Sequence, residues 1–296
     1  MTLAIDPRFQ SQVLRDEPMS RHTSWHVGGP ADVFFMPRDR AQLVEFLRAL
    51  PRDVPLLWLG LGSNLLVRDG GVRGVVIATQ DALTSLERRG DHDIYVEAGV
   101  PCARLAKQAA RWALGPATFF AGIPGTLGGA LAMNAGAFGG ETWPLVREVE
   151  TVDRDGTVRT RPASDYRAAY RSVTPPAEGE WFLAATLELA PHVDETAMRE
   201  MLERRRRTQP IGEWSCGSVF TNPPGDHAAR LIEACGLKGL RIGGAVVSEK
   251  HANFILNEGE ARASDIEQLI GRVQDEVRRR HGVTLHPEVR VVGSAA

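Results

Sequence analysis

The stretch from Gly122 to Gly140, which reads GIPGTLGGALAMNAGAFGG, holds seven of the chain's 30 glycines within 19 residues. No Asp, Glu, Lys or Arg stands between Arg111 and Glu141. A membrane span of this composition would leave backbone N–H and C=O groups unpaired in lipid, where each such group is costly. Glycine instead lets main-chain N–H groups approach a ligand closely, because there is no Cβ to collide with it. We therefore expect this stretch to form one wall of a buried cofactor site.

The size and charge of the chain indicate a soluble globular enzyme. Its 296 residues suffice for two or three lobes, and 43% of them are hydrophobic and 24% charged. The formal net charge of −2 provides no general attraction to nucleic acid or to an anionic membrane. The basic run Arg204–Arg207 falls on a predicted helix, where such a run is typically a solvated face. We expect a monomer with no nucleic-acid partner and no membrane insertion.

Cysteine and histidine patterns argue against disulfides and metals. Cys102, Cys216 and Cys235 form no CxxC pair, and their scatter fits a reducing, cytoplasmic compartment. The first ten residues lack the basic-then-apolar pattern of a signal peptide. The eight histidines form no HExxH or comparable ligand set, so no metal is expected. Cys216 lies two residues before Ser218, which leaves a thiol nucleophile open as an alternative without an identifiable activating partner.

Short apolar runs, turn residues and amphipathic segments predict an α+β chain in five parts. These parts are a leader over residues 1–21, a first lobe over 22–80, a second lobe over 81–192, a connector helix within 193–209 and a third lobe over 210–296. The connector helix is expected to begin at Asp194 and to run through Arg207.

Local signals place several elements within these lobes. Asp39 is expected to cap a helix that Pro51 stops, and Pro101 to begin a helix that ends near Gly115. Asp155-Gly156 predicts the turn of a hairpin over residues 149–161, since this dipeptide accepts positive φ angles.

The last helix has the clearest pattern. Ser264 to Glu267 reads as a capping box, and Gly282 is expected to end the helix. The apolar residues predicted to share its buried face are Ile266, Leu269, Ile270, Val273 and Val277.

The turn Gly60-Leu61-Gly62-Ser63-Asn64 follows a predicted strand and suggests a phosphate site. A dinucleotide-binding GxGxxG fingerprint needs a third glycine that opens a helix, but Leu65 stands there and continues as strand. The turn still offers successive N–H donors with a Ser hydroxyl and an Asn amide, which suit a pyrophosphate. An ordinary tight turn is the alternative.

Taken together, these segments resemble the UDP-N-acetylenolpyruvoylglucosamine reductase (MurB) family over residues 19–293. Several independent motifs occur in the family's order, which makes a chance match improbable. The matching segments are 22–32 (HTSWHVGGPAD), 60–66 (GLGSNLL), 122–130 (GIPGTLGGA), 133–137 (MNAGA), 217–223 (GSVFTNP) and 287–290 (PEVR).

The resemblance implies an α+β fold with a bipartite FAD-binding domain of the vanillyl-alcohol-oxidase (PCMH) type and a C-terminal α+β substrate-binding domain. In the family, non-covalent FAD is held between two lobes and a third lobe closes over a UDP-sugar. The chain looks like the shorter type II form, without the loop that carries a substrate-binding Tyr. The residues that match the family's flavin contacts are Gly60, Gly62, Ser63, Asn64, Leu65, Gly122, Ile123, Pro124, Gly125, Thr126, Gly128, Gly129, Asn134, Ala135 and Gly136.

The resemblance also implies the reaction, in which NADPH reduces the flavin and the flavin reduces an enolpyruvyl ether to a lactyl ether. By motif, Arg171 corresponds to a cation for the substrate carboxylate, Ser218 to the proton donor at the α-carbon, and Glu288 to an acid that stabilises the enolate-like intermediate. The residues expected to contact substrate are Tyr170, Asn222 and Lys250.

The chain departs from the family pattern at two positions. Val173 stands where the family has a Ser two places after the arginine, so either this serine is missing or the match near Arg171 is shifted by one residue. Thr221 stands where the family often has a Lys. Lys250, His251 or an arginine is expected to supply the missing charge for the substrate phosphates.

Two rival functions remain open at this point. One is a flavin oxidase of the same fold that acts on an alcohol or a hydroxy acid, often with covalently tethered FAD. The other is a non-enzymatic regulator that binds flavin or a UDP-sugar.

Overall fold

The computed structural model describes residues 3–192 and 196–296, which fold into two compact units. The segments of the first unit are Met1–Arg15, Val33–Leu61 and Gly74–Glu203. The segments of the second unit are Asp16–Asp32, Gly62–Arg73 and Arg204–Ala296. Each unit is therefore assembled from three separate stretches of chain, and the five-part division stays a prediction.

The helices account for part of the described residues and are numbered in chain order. The α-helices are α1 (Arg40–Ala49), α2 (Cys102–Arg111), α3 (Leu127–Met133), α4 (Ala197–Thr208), α5 (Ala228–Ala234) and α6 (Ala263–His281). The 3₁₀ helices are Pro7–Gln12, Met19–Arg21, Thr118–Gly122, Trp143–Leu145 and Ala163–Asp165. In the part of the chain that the structure describes, no helix is both long enough and apolar enough to span a bilayer.

The strands are short and are also numbered in chain order. They are β1 (Val13–Pro18), β2 (Pro30–Phe35), β3 (Leu56–Leu59), β4 (Leu65–Val67), β5 (Val72–Ala78), β6 (Leu86–Arg89), β7 (Asp93–Glu97), β8 (Leu114–Gly115), β9 (Gly136–Ala137), β10 (Gly140–Glu141), β11 (Val146–Asp153), β12 (Val158–Pro162), β13 (Arg167–Ala169), β14 (Ser172–Thr174), β15 (Glu180–Glu188), β16 (Ala190–Pro191), β17 (Arg241–Ile242), β18 (Ala245–Val247), β19 (Ile255–Asn257) and β20 (Arg290–Val292).

The main sheet of the first unit has five strands in the order β12-β11-β15-β7-β6, all paired antiparallel. The predicted hairpin is present, because β11 and β12 pair with Val152 opposite Val158 and Gly156 between them has φ 69°. A four-stranded sheet has the order β1-β2-β5-β3, and its strands β3 and β5 run parallel.

Two apolar clusters form the core of the first unit. Burial of these side chains is the main favourable term that holds the sheets and helices together, at roughly 25 cal/mol per Å² of apolar surface. One cluster includes Ile94, Leu105, Phe120, Leu127, Leu131 and Leu187. Since Leu127 and Leu131 belong to the glycine-rich stretch, this cluster anchors that stretch. The other includes Phe9, Val33, Phe35, Leu43, Phe46 and Leu183.

The second unit packs α5 and α6 with a three-stranded sheet in the order β17-β18-β19 around its own apolar core. The five residues predicted for the inner face of α6 are all buried. Trp25 is fully buried in the same core, where its Nε1 donates to the Ile255 carbonyl at 2.7 Å. Strand β20 pairs in parallel with β4, with Arg290 opposite Leu65.

Two of the predicted helix boundaries are displaced. Asp39 caps α1 as predicted, with its Oδ1 accepting from the Gln42 N–H at 2.8 Å. Pro101 is the residue before α2 rather than its first residue. The helix ends at Arg111 and not near Gly115, because Gly115 belongs to β8, which pairs with β16.

The predicted start of the last helix is also displaced, and that of the connector helix cannot be compared. Arg262 precedes α6, and Asp265 Oδ2 accepts from the Arg262 N–H at 2.9 Å, so Ser264 is inside the helix rather than its cap. Gly282 ends α6 with φ 68°, as predicted. The connector helix is α4, but its predicted start at Asp194 lies outside the described residues.

Candidate active site

The glycine-rich stretch forms a short helix between two turns of the first unit. Thr126 caps α3, with its Oγ1 accepting from the Gly129 N–H at 3.5 Å. Asn134 ends the helix in the left-handed conformation, with φ 47°. Strands β9 and β10 then pair Gly136 with Glu141. The predicted wall is therefore a compact helix–hairpin segment.

Several glycines of this segment stand where a side chain would not fit. A Cβ at Gly60 would lie 2.5 Å from Thr126 Oγ1, so the turn after β3 contacts the start of α3 directly. A Cβ at Gly128 would lie 3.0 Å from the Ala98 Cβ. At Gly129, by contrast, the nearest group is Thr126 Oγ1 at 3.9 Å, so this side of the helix has open space. The segment therefore packs closely at Gly60 and Gly128 and is open at Gly129.

Main-chain donors are available next to this open space. Gly125 and Thr126 stand just before α3, and among the described residues their amides donate to no protein acceptor. The Leu127 and Gly128 amides, in contrast, donate to the carbonyls of Val100 and Ala98. The two preceding amides are therefore the ones suited to a pyrophosphate.

In the second unit, the turn over residues 62–64 is held by backbone contacts. Gly62 has φ 60°, and a Cβ there would lie 2.0 Å from the His22 carbonyl oxygen, so only glycine fits. The Gly62 carbonyl accepts from the Ser24 N–H at 3.1 Å. Within the described chain, the Ser63 amide donates to no protein acceptor. Leu65 begins strand β4, which confirms that no helix follows this turn.

Arg171 occupies the tip of a tight hairpin in the first unit. Strands β13 and β14 pair Ala169 with Ser172, so Tyr170 and Arg171 are the two turn residues. Arg171 has φ 53°, a left-handed conformation that a long side chain rarely adopts. Its NH2 donates to the Gly136 carbonyl at 2.8 Å and its NH1 to the Asn134 carbonyl at 3.4 Å. These carbonyls orient the guanidinium and do not neutralise its charge.

Asn134 joins this hairpin to the glycine-rich segment through its side chain. Its Nδ2 donates to the Ala169 carbonyl at 3.1 Å and to Glu141 Oε2 at 3.0 Å. Its Oδ1 accepts from the Trp143 N–H at 3.0 Å. Glu141 belongs to none of the motifs that indicate the site, although it is the first charged residue after the uncharged run.

Ser218 and Glu288 lie on neighbouring segments of the second unit. The Glu288 N–H donates to the Val219 carbonyl at 2.7 Å, so the two segments are joined one residue from Ser218. Both side chains are partly exposed. The Asn64 Nδ2 donates to the Glu288 carbonyl at 3.0 Å, which connects the turn over residues 62–64 to the segment that carries Glu288. The structure thus brings Asn64, Ser218 and Glu288 together.

The segment that carries Ser218 is anchored by Asn253. Asn253 donates from its Nδ2 to the Phe220 carbonyl at 2.8 Å and accepts at its Oδ1 from the Phe220 N–H at 3.0 Å. Its own carbonyl accepts from the Val219 N–H at 2.9 Å. Asn253 is buried, so these bonds are shielded from water and fix the backbone next to the predicted proton donor.

Cys216 is a poor candidate for a nucleophile. Its side chain is buried, and burial raises the pKa of its thiol well above the ordinary value, with the negative charge of Glu288 raising that pKa further. The thiolate is the reactive form, so this environment suppresses reactivity. Among the described residues, no group of three or more His, Cys, Asp or Glu side chains could hold a metal ion.

The predicted substrate contacts of the second unit differ in their surroundings. Asn222 is exposed, and its Oδ1 accepts from the Ala228 N–H at 3.1 Å at the start of α5. Lys250 is exposed, and its Nζ donates to the Arg206 carbonyl at 2.6 Å. Burial lowers the pKa of His251, which disfavours its cationic form.

Comparison with known protein families gives two matches that together cover most of the chain. Residues 31–161 match the model of an FAD binding domain. Residues 209–292 match the model described as UDP-N-acetylenolpyruvoylglucosamine reductase, C-terminal domain.

Individual relatives agree with these models. The chain is 61% identical to the UDP-N-acetylenolpyruvoylglucosamine reductase of Alkalilimnicola ehrlichii, over 99% of each protein. It is 59% identical to that of Methylococcus capsulatus, over 95% of this chain and 93% of the relative. The crystal structure of the reductase from Thermus caldophilus matches with a TM-score of 0.80 and 34% identity, over 98% of this chain and 99% of that one. The predicted fold class, an FAD-binding part and a C-terminal α+β domain, is confirmed.

Proposed function

This chain belongs to the UDP-N-acetylenolpyruvoylglucosamine reductase family of oxidoreductases, and from that premise we propose that it reduces UDP-N-acetylglucosamine enolpyruvate to UDP-N-acetylmuramate. The proposed cofactor is FAD, bound without a covalent link, and the proposed co-substrate is NADPH. The observation that best supports this proposal is the arrangement at Glu288. Its carbonyl accepts from the Asn64 side-chain amide, and its N–H donates to the Val219 carbonyl, next to Ser218.

We assign the glycine-rich segments to FAD, which supplies hydride transfer to the substrate when it is bound. The open side of α3 at Gly129 supports this assignment, because an isoalloxazine ring is flat and large. The Gly125 and Thr126 amides support it as well, since pyrophosphate oxygens accept from main-chain N–H groups. The other predicted flavin contacts belong to the same proposal.

Arg171 is proposed to bind the carboxylate of the enolpyruvyl group. A guanidinium offers two parallel N–H donors to a carboxylate and keeps its charge at every physiological pH. As negative charge moves onto that carboxylate during reduction, a cation held in place lowers the barrier. Tyr170, Asn222 and Lys250 are proposed as further substrate contacts.

Ser218 is proposed to deliver a proton to the substrate α-carbon, and Glu288 to stabilise the charge that precedes it. Glu288 must be protonated to donate a hydrogen bond, and exclusion of water from its surroundings would favour that form. The backbone bond between the Glu288 N–H and the Val219 carbonyl supports a shared site, since it keeps the two side chains on adjacent segments.

The proposed reaction belongs to peptidoglycan precursor synthesis and therefore to cell-wall formation, cell shape and division. A UDP-sugar and NADPH are both cytoplasmic metabolites, so we place the protein in the cytoplasm. The three free cysteines accord with that compartment. We expect a monomer.

The visible absorbance spectrum of the purified protein tests the proposal directly. We expect flavin bands that bleach when NADPH is added without oxygen and that return when the UDP-enolpyruvyl substrate follows. A parallel sample with NADH measures the nucleotide preference. A colourless protein that cannot be reconstituted with FAD would overturn the proposal.

Two further measurements distinguish the proposed reductase from the alternative flavin oxidase. Acid precipitation should release the flavin into the supernatant, because the proposed FAD is not covalently attached. Bands that bleach with NADPH but reappear as quickly with oxygen alone as with the UDP-enolpyruvyl substrate would favour the oxidase.

A further inference from the structure

We propose that Glu141 is a positioning residue for Arg171 and acts on it through the side chain of Asn134. The inference rests on the proposed function, in which Arg171 binds the substrate carboxylate. It adds a residue that neither touches the substrate in that scheme nor belongs to the motif residues named for catalysis.

Three contacts, all made by Asn134, connect Glu141 to Arg171. Glu141 Oε2 accepts from Asn134 Nδ2 at 3.0 Å. The same Nδ2 donates to the Ala169 carbonyl at 3.1 Å, two residues before Arg171. The Asn134 main chain contributes directly, because its carbonyl accepts from Arg171 NH1 at 3.4 Å. Asn134 therefore contacts both the strand that leads into the turn and the guanidinium itself.

The hairpin that carries Arg171 has little packing of its own. The residues of β13 are all exposed, and on β14 only Val173 packs against the apolar cluster of the first unit. Arg171 also holds a left-handed backbone conformation, which costs about 1–3 kcal/mol and persists only when surrounding contacts impose it. Polar contacts therefore have to fix this turn, and the Asn134 side chain supplies one of them.

Glu141 is one of three groups that fix the direction of the Asn134 amide, together with the Ala169 carbonyl and the Trp143 N–H. Asn134 is buried, so an unsatisfied amide group would be costly. With Glu141 accepting at Nδ2 and the Trp143 N–H donating to Oδ1, the amide has one favourable orientation. Strands β9 and β10 hold Glu141 beside Gly136, whose carbonyl is the second acceptor of Arg171. One short segment thus fixes both carbonyls and the amide.

Two substitutions of Glu141 distinguish the effect of its hydrogen bond to Asn134 from the effect of its negative charge. Glu141→Ala removes the acceptor, whereas Glu141→Gln keeps an oxygen at the same place and removes the negative charge. If Glu141 orients Asn134, the glutamine variant should retain wild-type behaviour within about threefold. Equal losses in both variants would mean that its charge acts on Arg171, and the positioning inference would be wrong.

The test uses a double-mutant cycle with Arg171→Ala in the FAD-loaded protein. Substrate affinity is measured by isothermal titration calorimetry, and the two half-reactions are measured by stopped-flow absorbance. Because positioning errors of about 1 Å cost up to about 100-fold in rate, we expect Glu141→Ala to slow substrate reduction about tenfold and to weaken substrate binding several-fold. Flavin reduction by NADPH should change less than about twofold. In the Arg171→Ala background, the effect of Glu141→Ala on both measurements should disappear, because the two residues act as a unit.

Glu97→Ala is the matched control. Glu97 is a partly buried carboxylate of the same unit whose Oε2 accepts from the Ser85 N–H at 2.8 Å. Its substitution should leave both half-reactions and substrate affinity unchanged.

The outcomes distinguish the inference from the proposed function. If Arg171→Ala itself leaves substrate affinity and reduction intact, the proposed role of Arg171 fails. If Arg171→Ala is impaired but Glu141→Ala is not, or if the two losses add fully in the double variant, only the positioning role fails.

Discussion

Arg171, the proposed carboxylate-binding residue, illustrates at the residue scale how a backbone is held in an unfavourable conformation. Its φ of 53° is strained for any residue with a Cβ, and glycine would adopt it freely. Its carbonyl partners, Asn134 and Gly136, belong to the segment that we assign to FAD. The strained residue therefore contacts the proposed cofactor-binding segment, and strained backbone commonly occurs at functional sites.

We predict that Arg171→Gly separates activity from stability. Relief of the backbone strain should offset the lost side-chain hydrogen bonds, so the free energy of unfolding should stay within about 1 kcal/mol of the wild-type value. Substrate reduction should fall by about 10²–10³-fold, because charge stabilisation by the guanidinium is lost. Urea unfolding and single-turnover kinetics measure the two effects. A variant that loses both activity and several kcal/mol would show that Arg171 is chiefly structural.

Ser218→Ala is predicted to slow the reduction of substrate and to leave the reduction of the flavin by NADPH unchanged. Loss of the proton donor should slow product formation by about 10²–10⁴-fold, the usual contribution of general acid catalysis. Flavin reduction by NADPH should proceed at the wild-type rate, since it needs no proton from Ser218. Ser215→Ala, three residues earlier, is the control. Turnover of Ser218→Ala at the wild-type rate would remove Ser218 from the mechanism.

Cys216 is predicted to resist alkylation. Burial and the neighbouring Glu288 charge both raise the pKa of its thiol, so the protonated form persists through and above neutral pH. Iodoacetamide at pH 8 should modify the residue only after unfolding in urea, as peptide mass spectrometry would show. Rapid labelling of Cys216 in the native protein would reopen the interpretation of this residue as a nucleophile.

At the scale of elements, the start of α6 depends on a residue far away in the sequence. The Asp69 side chain accepts from the Ala263 N–H at 2.9 Å and from the Ser264 N–H at 3.0 Å. Burial alone would raise the pKa of Asp69, but these hydrogen bonds outweigh it and lower that pKa below its usual value. The apolar face and the Gly282 end of α6 could be predicted from local spacing. The cap could not, since nothing near residue 69 indicates that it meets residue 263.

Asp69→Ala is predicted to destabilise the protein by about 1–2 kcal/mol at pH 7, the usual cost of a lost helix cap. Because the folded-state pKa of Asp69 is lowered, its contribution is present above the unfolded-state pKa and is lost as the pH falls through the folded-state pKa. The difference from wild type should therefore shrink below about pH 4, near the reference value for Asp. Urea unfolding across pH measures it.

A control on the same helix separates the cap from general charge loss. Asp275 forms an exposed ion pair with Arg278 at 3.0 Å, and such pairs contribute about 0–1 kcal/mol. Asp275→Ala should therefore have little effect at any pH. Equal destabilisation by the two substitutions would contradict the capping role of Asp69.

At the scale of the whole molecule, the sequence predicts elements and motifs better than it predicts how the chain is divided. The glycine turn reads as one motif, yet Leu61 ends a segment of the first unit and Gly62 begins one of the second. Strand β4 pairs with β20, more than 200 residues away, and local apolar patterns carry no information about such partners. The resemblance to a known family supplied the predicted site residues, whereas the contact between Glu141 and Asn134 is visible only in the folded structure.

Bound FAD is predicted to stabilise the whole protein against unfolding. A ligand that binds only the folded state stabilises it by about 2.7 kcal/mol when its concentration is 100 times its Kd. Removal of FAD should therefore lower the thermal midpoint, and excess FAD should restore it. FMN keeps the isoalloxazine ring and one phosphate but lacks the second phosphate and the adenosine, so it should restore the midpoint only in part if the Gly125 and Thr126 amides hold the pyrophosphate. Differential scanning fluorimetry with matched FAD and FMN concentrations makes the comparison, with riboflavin as the control for ring binding alone. If FMN stabilised the protein as much as FAD, these amides would not be the pyrophosphate site, even if the protein were yellow and active.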